Sequence, residues 1–176
     1  MSWLSSNALD VGIRERKLIT LSGIAPDIDG IGLVLDAIAR YFGFTTNYWG
    51  QYHRSLHSLS FCLLVAIICY FAARESKFKV AIASFAVFHL HLICDVIGSK
   101  GPDGYQWPLP YLTPFSGEVL ITWPHQWELN AWPNILIGAS LVVATFVFAR
   151  KYRRAPFELI STKADEAFLR IVDRMV

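Results

Sequence analysis

The chain has 176 residues and a net charge of +2; 54% of its residues are hydrophobic and only 17% charged, and its mean hydropathy is +0.39. Soluble domains average about 25% charged residues, so this composition excludes an ordinary soluble globular protein and points to the membrane. So small a net charge gives no basis for binding nucleic acid, and the length suits one domain, residues 1–176.

Residues 1–12 lack a basic start followed by an apolar stretch, so no cleavable signal is expected and insertion rests on internal segments. Arg14, Glu15, Arg16 and Lys17 form a charged cluster before the apolar stretch 18–25, which is too short to cross as a helix, since a crossing needs about 20 residues. Pro26-Asp27-Ile28-Asp29-Gly30 reads as a turn. Beyond it Ile31, Val34, Leu35, Ile38, Tyr41 and Phe42 recur with helical period opposite Asp36 and Arg40. This predicts an amphipathic helix that lies at the interface or packs on a bundle and ends at Gly43.

Residues 44–52 read as a loop anchored at the interface by Tyr48, Trp49 and Tyr52. Residues 52–73 predict a first spanning helix with His53 and His57 at i, i+4 on its opening turns. A short basic loop, 74–79, leads into a second span, 80–97, which carries His89, His91 and Asp95. The two form an antiparallel hairpin, so both histidine groups emerge at one membrane face. Residues 98–131 make a long loop rich in Gly, Pro and Trp, of the kind that is usually functional when it is ordered. Residues 132–149 predict a third span, followed by a basic stretch and a cytoplasmic tail, 155–176. Cys62, Cys69 and Cys94 lie in apolar runs, show no CxxC spacing and read as small apolar fillers. The expected fold is an all-α, polytopic membrane bundle with about three spanning helices plus a short amino-terminal helix pair.

Short basic loops face the cytoplasm. Arg74, Lys77 and Lys79 agree in this with Arg150, Lys151, Arg153 and Arg154, whereas the 98–131 loop holds Lys100 against Asp103, Glu118 and Glu128. This places the His/Asp groups on the outer, periplasmic side. Arg14, Arg16 and Lys17 pull the other way, because the few residues from there to Asp27 cannot cross as a helix. The entering segment is then either steep and partly sunken, or the amino terminus stays outside.

An aspartate buried among apolar residues costs roughly 2.5–3.5 kcal/mol on insertion scales, so Asp95 needs compensation. His91 and Asp95 share a helix face, whereas His89 points roughly 160° away. Four pieces converge: Asp27 and Asp29 in a turn, His53 with His57, His91 with Asp95, and the exit Gly98-Ser99-Lys100-Gly101-Pro102-Asp103-Gly104. Imidazole and carboxylate together suit a divalent metal, zinc first, with iron or manganese also compatible. Six candidate ligands, Asp27, Asp29, His53, His57, His91 and Asp95, exceed the needs of one ion and leave room for one or two. A metal-activated water would be the nucleophile, with Asp27 or Asp29 accepting its proton. Arg54, Lys100 and Asp103 are candidates for holding substrate.

Each piece has a plainer reading. Asp29-Gly30 can be a turn with a helix cap, and His53 and His57 interfacial hydrogen-bonders. His89 is open between supporting a ligand, being one, and filling the core. His125 reads as structural or substrate-facing.

The segments Ala25-Pro26-Asp27-Ile28-Asp29-Gly30, His53-Arg54-Ser55-Leu56-His57-Ser58 and His89-Leu90-His91-Leu92-Ile93-Cys94-Asp95 resemble the PDxDG, HxxxHS and HxHxxxD signatures of the YdjM-like bacterial inner-membrane metal-dependent hydrolases. Residues 101–108 and 126–134 are similar to the loop of one branch of that family. The resemblance covers about residues 14–160 and implies metal positions at Asp27, Asp29, His53, His57, His91 and Asp95. A more distant likeness to zinc-dependent phospholipase C implies phosphoester hydrolysis, on a lipid or envelope-derived substrate. Many relatives carry an early His on an extra apolar helix; residues 1–11 here contain neither. Two other readings remain. One is a non-enzymatic membrane protein with a structural His/Asp cluster and a partner-binding Trp-rich loop. The other, ranked last, is a transporter, because the third span carries no ionisable group.

Overall fold

The computed structural model describes residues 1–101 and 103–174; Pro102 of the Gly-rich exit and the last two residues of the tail lie outside the described residues. The helices are α1 (Ser2–Ser6), α2 (Ile13–Ser22), α3 (Ile31–Tyr41), α4 (Tyr48–Tyr52), α5 (Leu59–Ala72), α6 (Lys77–Gly98), α7 (Trp132–Tyr152) and α8 (Thr162–Arg174), with 3-10 turns at Ala25–Gly30 and Pro156–Leu159. α6 and α7 have 22 and 21 residues. At 1.5 Å per residue each is just over about 30 Å long, the thickness of a bilayer's hydrocarbon core. The expected all-α membrane bundle is present.

The first predicted span needs correction. Residues 52–73 are not one helix: α5 starts only at Leu59 and has 14 residues, about 21 Å. Ser58 caps it, its hydroxyl accepting the Phe61 amide at 3.3 Å, and Arg54 has φ +101°, which no helix tolerates. His53 and His57 therefore sit in a turn, not on helical i, i+4 positions. α2 and the segment Ala25–Tyr41 are together also long and apolar enough for a pass but bend by 58°, as in a broken span or a re-entrant loop. Pro26, near the start of the 3-10 turn, lacks the amide that would continue α2.

The interior is small. α2 packs on the α5–α6 hairpin through Ile19, Cys69, Ala73, Val80 and Val87, and a second cluster of Ala25, Cys62, Phe88, Leu92 and Leu109 lies nearer the site. Cys62 and Cys69 fill space as expected; Cys94 lies on the surface. Apolar side chains otherwise face outward, such as Leu63, Ile67 and Phe71 on α5 and Ile135, Val143 and Val147 on α7. α3 follows the same inverted pattern and settles where it lies. Ile31, Val34, Ile38 and Tyr41 are exposed while Asp36 is buried, accepting the Tyr48 and Trp49 amides at 2.8 and 2.9 Å. Its apolar face thus looks outward from the bundle. Gly43, at φ +80°, closes α3 in the left-handed conformation that glycine accepts at least cost.

The amino-terminal charges join the other basic segments at one end of the bundle. Arg14 donates to the Ala72 carbonyl at 3.0 Å, and Glu15 accepts the Arg74 amide at 3.2 Å. Arg16 forms a two-pronged pair with Glu158 at 3.1 and 2.7 Å, and Glu158 also accepts the Trp3 indole N–H at 3.0 Å. Burial pushes the Glu158 carboxyl up, but the Arg16 guanidinium and the Trp3 N–H outweigh it and hold its pKa below the ordinary value. Arg16→Met strands a buried carboxylate and is expected to cost about 3–5 kcal/mol in unfolding experiments in detergent, whereas Arg16→Met with Glu158→Leu recovers most of that loss. The pair's contribution is complete above the unfolded carboxylate pKa and is lost as pH falls through the depressed folded value. Wild type therefore loses stability below about pH 4 more steeply than the double variant.

Candidate metal centre

Three elements deliver the site. α6 carries His91 and Asp95 on one face, about 21 and 27 Å along from its basic end. The bend after α2 lets the 3-10 turn bring Asp27 and Asp29 to the same depth. The turn between α4 and α5 supplies His53 and His57, and Asp29 shapes it. One Asp29 oxygen accepts Nδ1–H of His53 at 2.9 Å, and the other accepts the amides of Arg54 and Leu56 at 3.0 and 3.4 Å. The same oxygen lies 3.7 Å from His57 Nδ1. Asp29 thus holds Arg54 in its left-handed conformation and stands behind both imidazoles.

In front of it the donor atoms converge. His91 Nε2 lies 3.4 Å from Asp27 Oδ1 and 3.1 Å from Asp95 Oδ2; His57 Nε2 lies 3.7 and 3.5 Å from the same two oxygens. His57 Nε2, His91 Nε2 and Asp95 Oδ2 are buried without a hydrogen-bond partner. Buried polar atoms are seldom left so, and three aimed at one point call for a ligand. Tetrahedral bonds of about 2.0–2.1 Å put neighbouring donors about 3.3–3.4 Å apart, so the observed spacing suits a divalent ion. Among the described residues one set of His, Cys and acidic groups, Asp27, His57 and His91, brings its donor atoms within 4.8 Å of one another. Asp29 and His53, the surplus available to a second ion, are bonded to each other.

The centre opens on one side. His57 is fully buried, whereas the Asp27 side chain is 56% exposed. Asp27, His91 and Asp95 line a cleft of about 420 Å³ together with Trp49, His53, Ser99, Trp107 and Leu129. His53 is sandwiched between Trp49 and Trp107, ring centroids 3.5 and 5.0 Å away, and Trp107 meets His57 edge-on at 5.0 Å. The long loop is thus one wall of the cleft.

Two supports escaped the sequence reading. Buried Gln126 donates to the Asp95 carbonyl at 2.8 Å and accepts the Trp107 amide at 2.8 Å, so one side chain fixes the loop to α6 at the site. Ser99 donates to Asp95 Oδ1 at 3.3 Å, leaving Oδ2 for the centre. The only signal for either was membership of the Gln-Trp and Gly-rich segments.

Five other candidate residues do not line the cleft. His89 points to the opposite face of α6, where its Nδ1–H donates to the Phe85 carbonyl at 2.9 Å and its Nε2 accepts the Tyr111 hydroxyl at 2.8 Å. It is neither a ligand nor a ligand's support, because both nitrogens are used in the core. Arg54 reaches back to the Pro108 carbonyl at 3.5 Å and does not line the cleft. Lys100 pairs through its backbone, its amide donating to the Trp127 carbonyl at 3.0 Å and its carbonyl accepting the Leu129 amide at 3.2 Å. Asp103 accepts the Tyr105 amide at 3.2 Å and so shapes a turn. His125 is exposed beside Trp123.

An all-helical membrane bundle with a His/Asp donor cluster beneath an open cleft defines the class of this protein. The particular family follows from sequence comparison: the family profile described as YdjM inner membrane protein matches residues 8–161, and the chain belongs to that family. Comparison with curated proteins and with solved structures returns no match.

Proposed function

We propose that the protein is a membrane-embedded, metal-dependent hydrolase of phosphoesters, with His57, His91 and Asp95 holding one divalent ion, zinc being favoured by the donor set, and Asp27 standing on its open side. The observation that carries this is the convergence of three buried, unpartnered donor atoms on a point that opens into a cleft. A divalent ion bound there supplies Lewis acidity and lowers the pKa of water towards about 7. His57 closes the inner side, with Trp107 packed edge-on against its ring and Asp29 3.7 Å behind it. Asp27 is the carboxylate of the cluster that faces the cleft, and it is placed to take the proton released as water attacks phosphorus. The attacking oxygen forms the new P–O bond, the ester P–O bond breaks, and the departing alcohol takes up a proton.

The basic residues gathered at the opposite end support a multi-pass inner-membrane protein with its site on the periplasmic side and its tail in the cytoplasm. One experiment addresses both reaction and side. Sealed right-side-out vesicles are given an impermeant chromogenic phosphoester, with and without added zinc, iron or manganese and with a chelator. Metal-dependent hydrolysis without permeabilisation is expected. No hydrolysis by metal-loaded, detergent-purified protein would refute the reaction, and hydrolysis only after permeabilisation would refute the side.

A further inference from the structure

The loop between α6 and α7 leaves and returns at one level but does not stay there. It departs after Gly98; on its way back the Trp127 amide donates to the Ile97 carbonyl at 3.1 Å, and the Trp127 carbonyl accepts the Lys100 amide at 3.0 Å. In between it descends along the bundle. Leu109, 3% exposed, packs in the cluster with Cys62, Phe88 and Leu92, and the Tyr111 hydroxyl donates to His89 Nε2 at 2.8 Å. The Leu59 amide donates to the Tyr111 carbonyl at 2.8 Å, and the Ser60 hydroxyl to the Thr113 carbonyl at 2.7 Å. At 1.5 Å per residue, Leu92, His89 and Phe88 lie about 9, 14 and 15 Å short of Gly98 along α6. One leaflet's hydrocarbon is roughly 15 Å deep. Where α6 spans a bilayer, the descending arm is therefore at acyl-chain depth.

The chemistry of the segment suits that depth. From Trp107 to Trp127 the sequence holds one acidic or basic residue, Glu118. Backbone outside a helix is tolerated at membrane depth only when the protein satisfies its polar groups. Of the nine residues from Trp107 to Phe115, Pro108, Pro110 and Pro114 have no amide hydrogen, and five of the other six amides are bonded. Trp107 donates to Gln126 Oε1, Leu109 to the Ile121 carbonyl, Tyr111 to that of Leu109, Thr113 to that of Pro110 and Phe115 to that of Leu112. The outer surface of the segment is apolar, with Phe115 88%, Leu120 49% and Ile121 39% exposed. Ile121 borders, with Leu92, Ile93 and Val96 of α6, one apolar hollow of about 390 Å³, so this surface is continuous with the outward face of α6. Trp127, with Trp123 6.1 Å from it, stands where the segment regains the level of Ile97, as indole rings do at a membrane interface.

We propose that residues 107–121 form a re-entrant element inside the leaflet on the site's side, with Phe115, Leu120 and Ile121 in contact with lipid acyl chains. The partner of this surface is the bilayer interior, and the Ser116–Glu118 turn carries the segment's polar groups towards the headgroups. Its place follows from α6 spanning the membrane, whatever reaction the cleft performs. Trp107, at the start of the element, lies 5.0 Å from His57, so one wall of the cleft is anchored in lipid.

The test uses full-length protein in nanodiscs, with Cys94→Ala removing the surface thiol and nitroxide labels placed singly at Phe115→Cys and Leu120→Cys. Both positions are exposed, so a label there stays out of the core. Ile67→Cys on the outward face of α5 is the lipid reference, and Glu166→Cys on the exposed side of α8 the water reference. Power-saturation EPR reads collisions with oxygen, which concentrates among acyl chains, and with a nickel chelate, which stays in water. At Phe115 and Leu120 the oxygen-to-nickel ratio is expected to match that at Ile67 and to exceed that at Glu166 by about tenfold or more, the factor that about 1.4 kcal/mol of partitioning produces. A ratio nearer that at Glu166 puts the segment in water and overturns the proposal; few collisions with either reagent does so too, because protein then covers it. Unmodified protein gives a second readout: a carbene reagent dissolved in the acyl chains should label residues 115–121 as well as α5 and α6. Labelling of the helices alone would contradict the assignment.

Discussion

His57→Ala is expected to abolish metal binding and metal-dependent hydrolysis while leaving a folded protein. His57 is completely buried, and its Nε2 lies 3.7 Å from Asp27 Oδ1 and 3.5 Å from Asp95 Oδ2 with no hydrogen-bond partner of its own. Removing it takes away the inner donor and leaves two carboxylates and one imidazole facing water. The loss of affinity should exceed the roughly 100-fold at the upper end of what a supporting residue contributes. A thermal-shift titration reads this directly. Saturating metal at about 100 times its dissociation constant stabilises a folded protein by about 2.7 kcal/mol, so wild type should shift upward and His57→Ala should not. An equal shift in both proteins would remove His57 from the ligand set.

Asp29→Asn should behave differently. The sequence alone ranks Asp29 with Asp27, as ligand or as base. The structure instead engages its oxygens with His53 Nδ1–H and the amides of Arg54 and Leu56, behind His57 and away from the donor cluster. Asparagine keeps the shape and one acceptor but loses the charge that orients the imidazoles. The expected result is roughly 10–100-fold weaker metal binding with unchanged stoichiometry, the signature of a residue that positions a ligand. Asp29→Ala should be worse for another reason: Arg54 then keeps φ +101° without the acceptor that holds it there, and the turn loosens. Complete loss of metal in Asp29→Asn, matching His57→Ala, would restore Asp29 to the ligands.

The parts of this arrangement set by local periodicity were legible in the sequence. His91 and Asp95 are one helical turn apart, and that spacing alone put them on one face and His89 on the other. α6 and α7 were legible from apolar length, and the end of α3 from Gly43. What depends on contacts between distant segments was not. Residues 52–73 read as one helix because their apolar content is continuous past Ser58, and only the Asp29 carboxylate, 25 residues from Arg54 along the chain, reveals the turn. Gln126 carries no signal of its own; its role exists only once Asp95 and Trp107 are folded on either side of it. Lys100 and Arg54 looked like anion holders from charge alone, yet neither lines the cleft, and the Arg54 guanidinium turns to the Pro108 carbonyl. α3 was amphipathic in either environment, and only burial of Asp36 shows that its apolar face looks outward.

Elemental analysis of detergent-purified protein, wild type beside His91→Ala, tests the central claim most directly. Near-stoichiometric zinc, iron or manganese in the wild type, lost in the variant, is the predicted result. No bound metal in wild type even after reconstitution, or equal metal in both proteins, would contradict it.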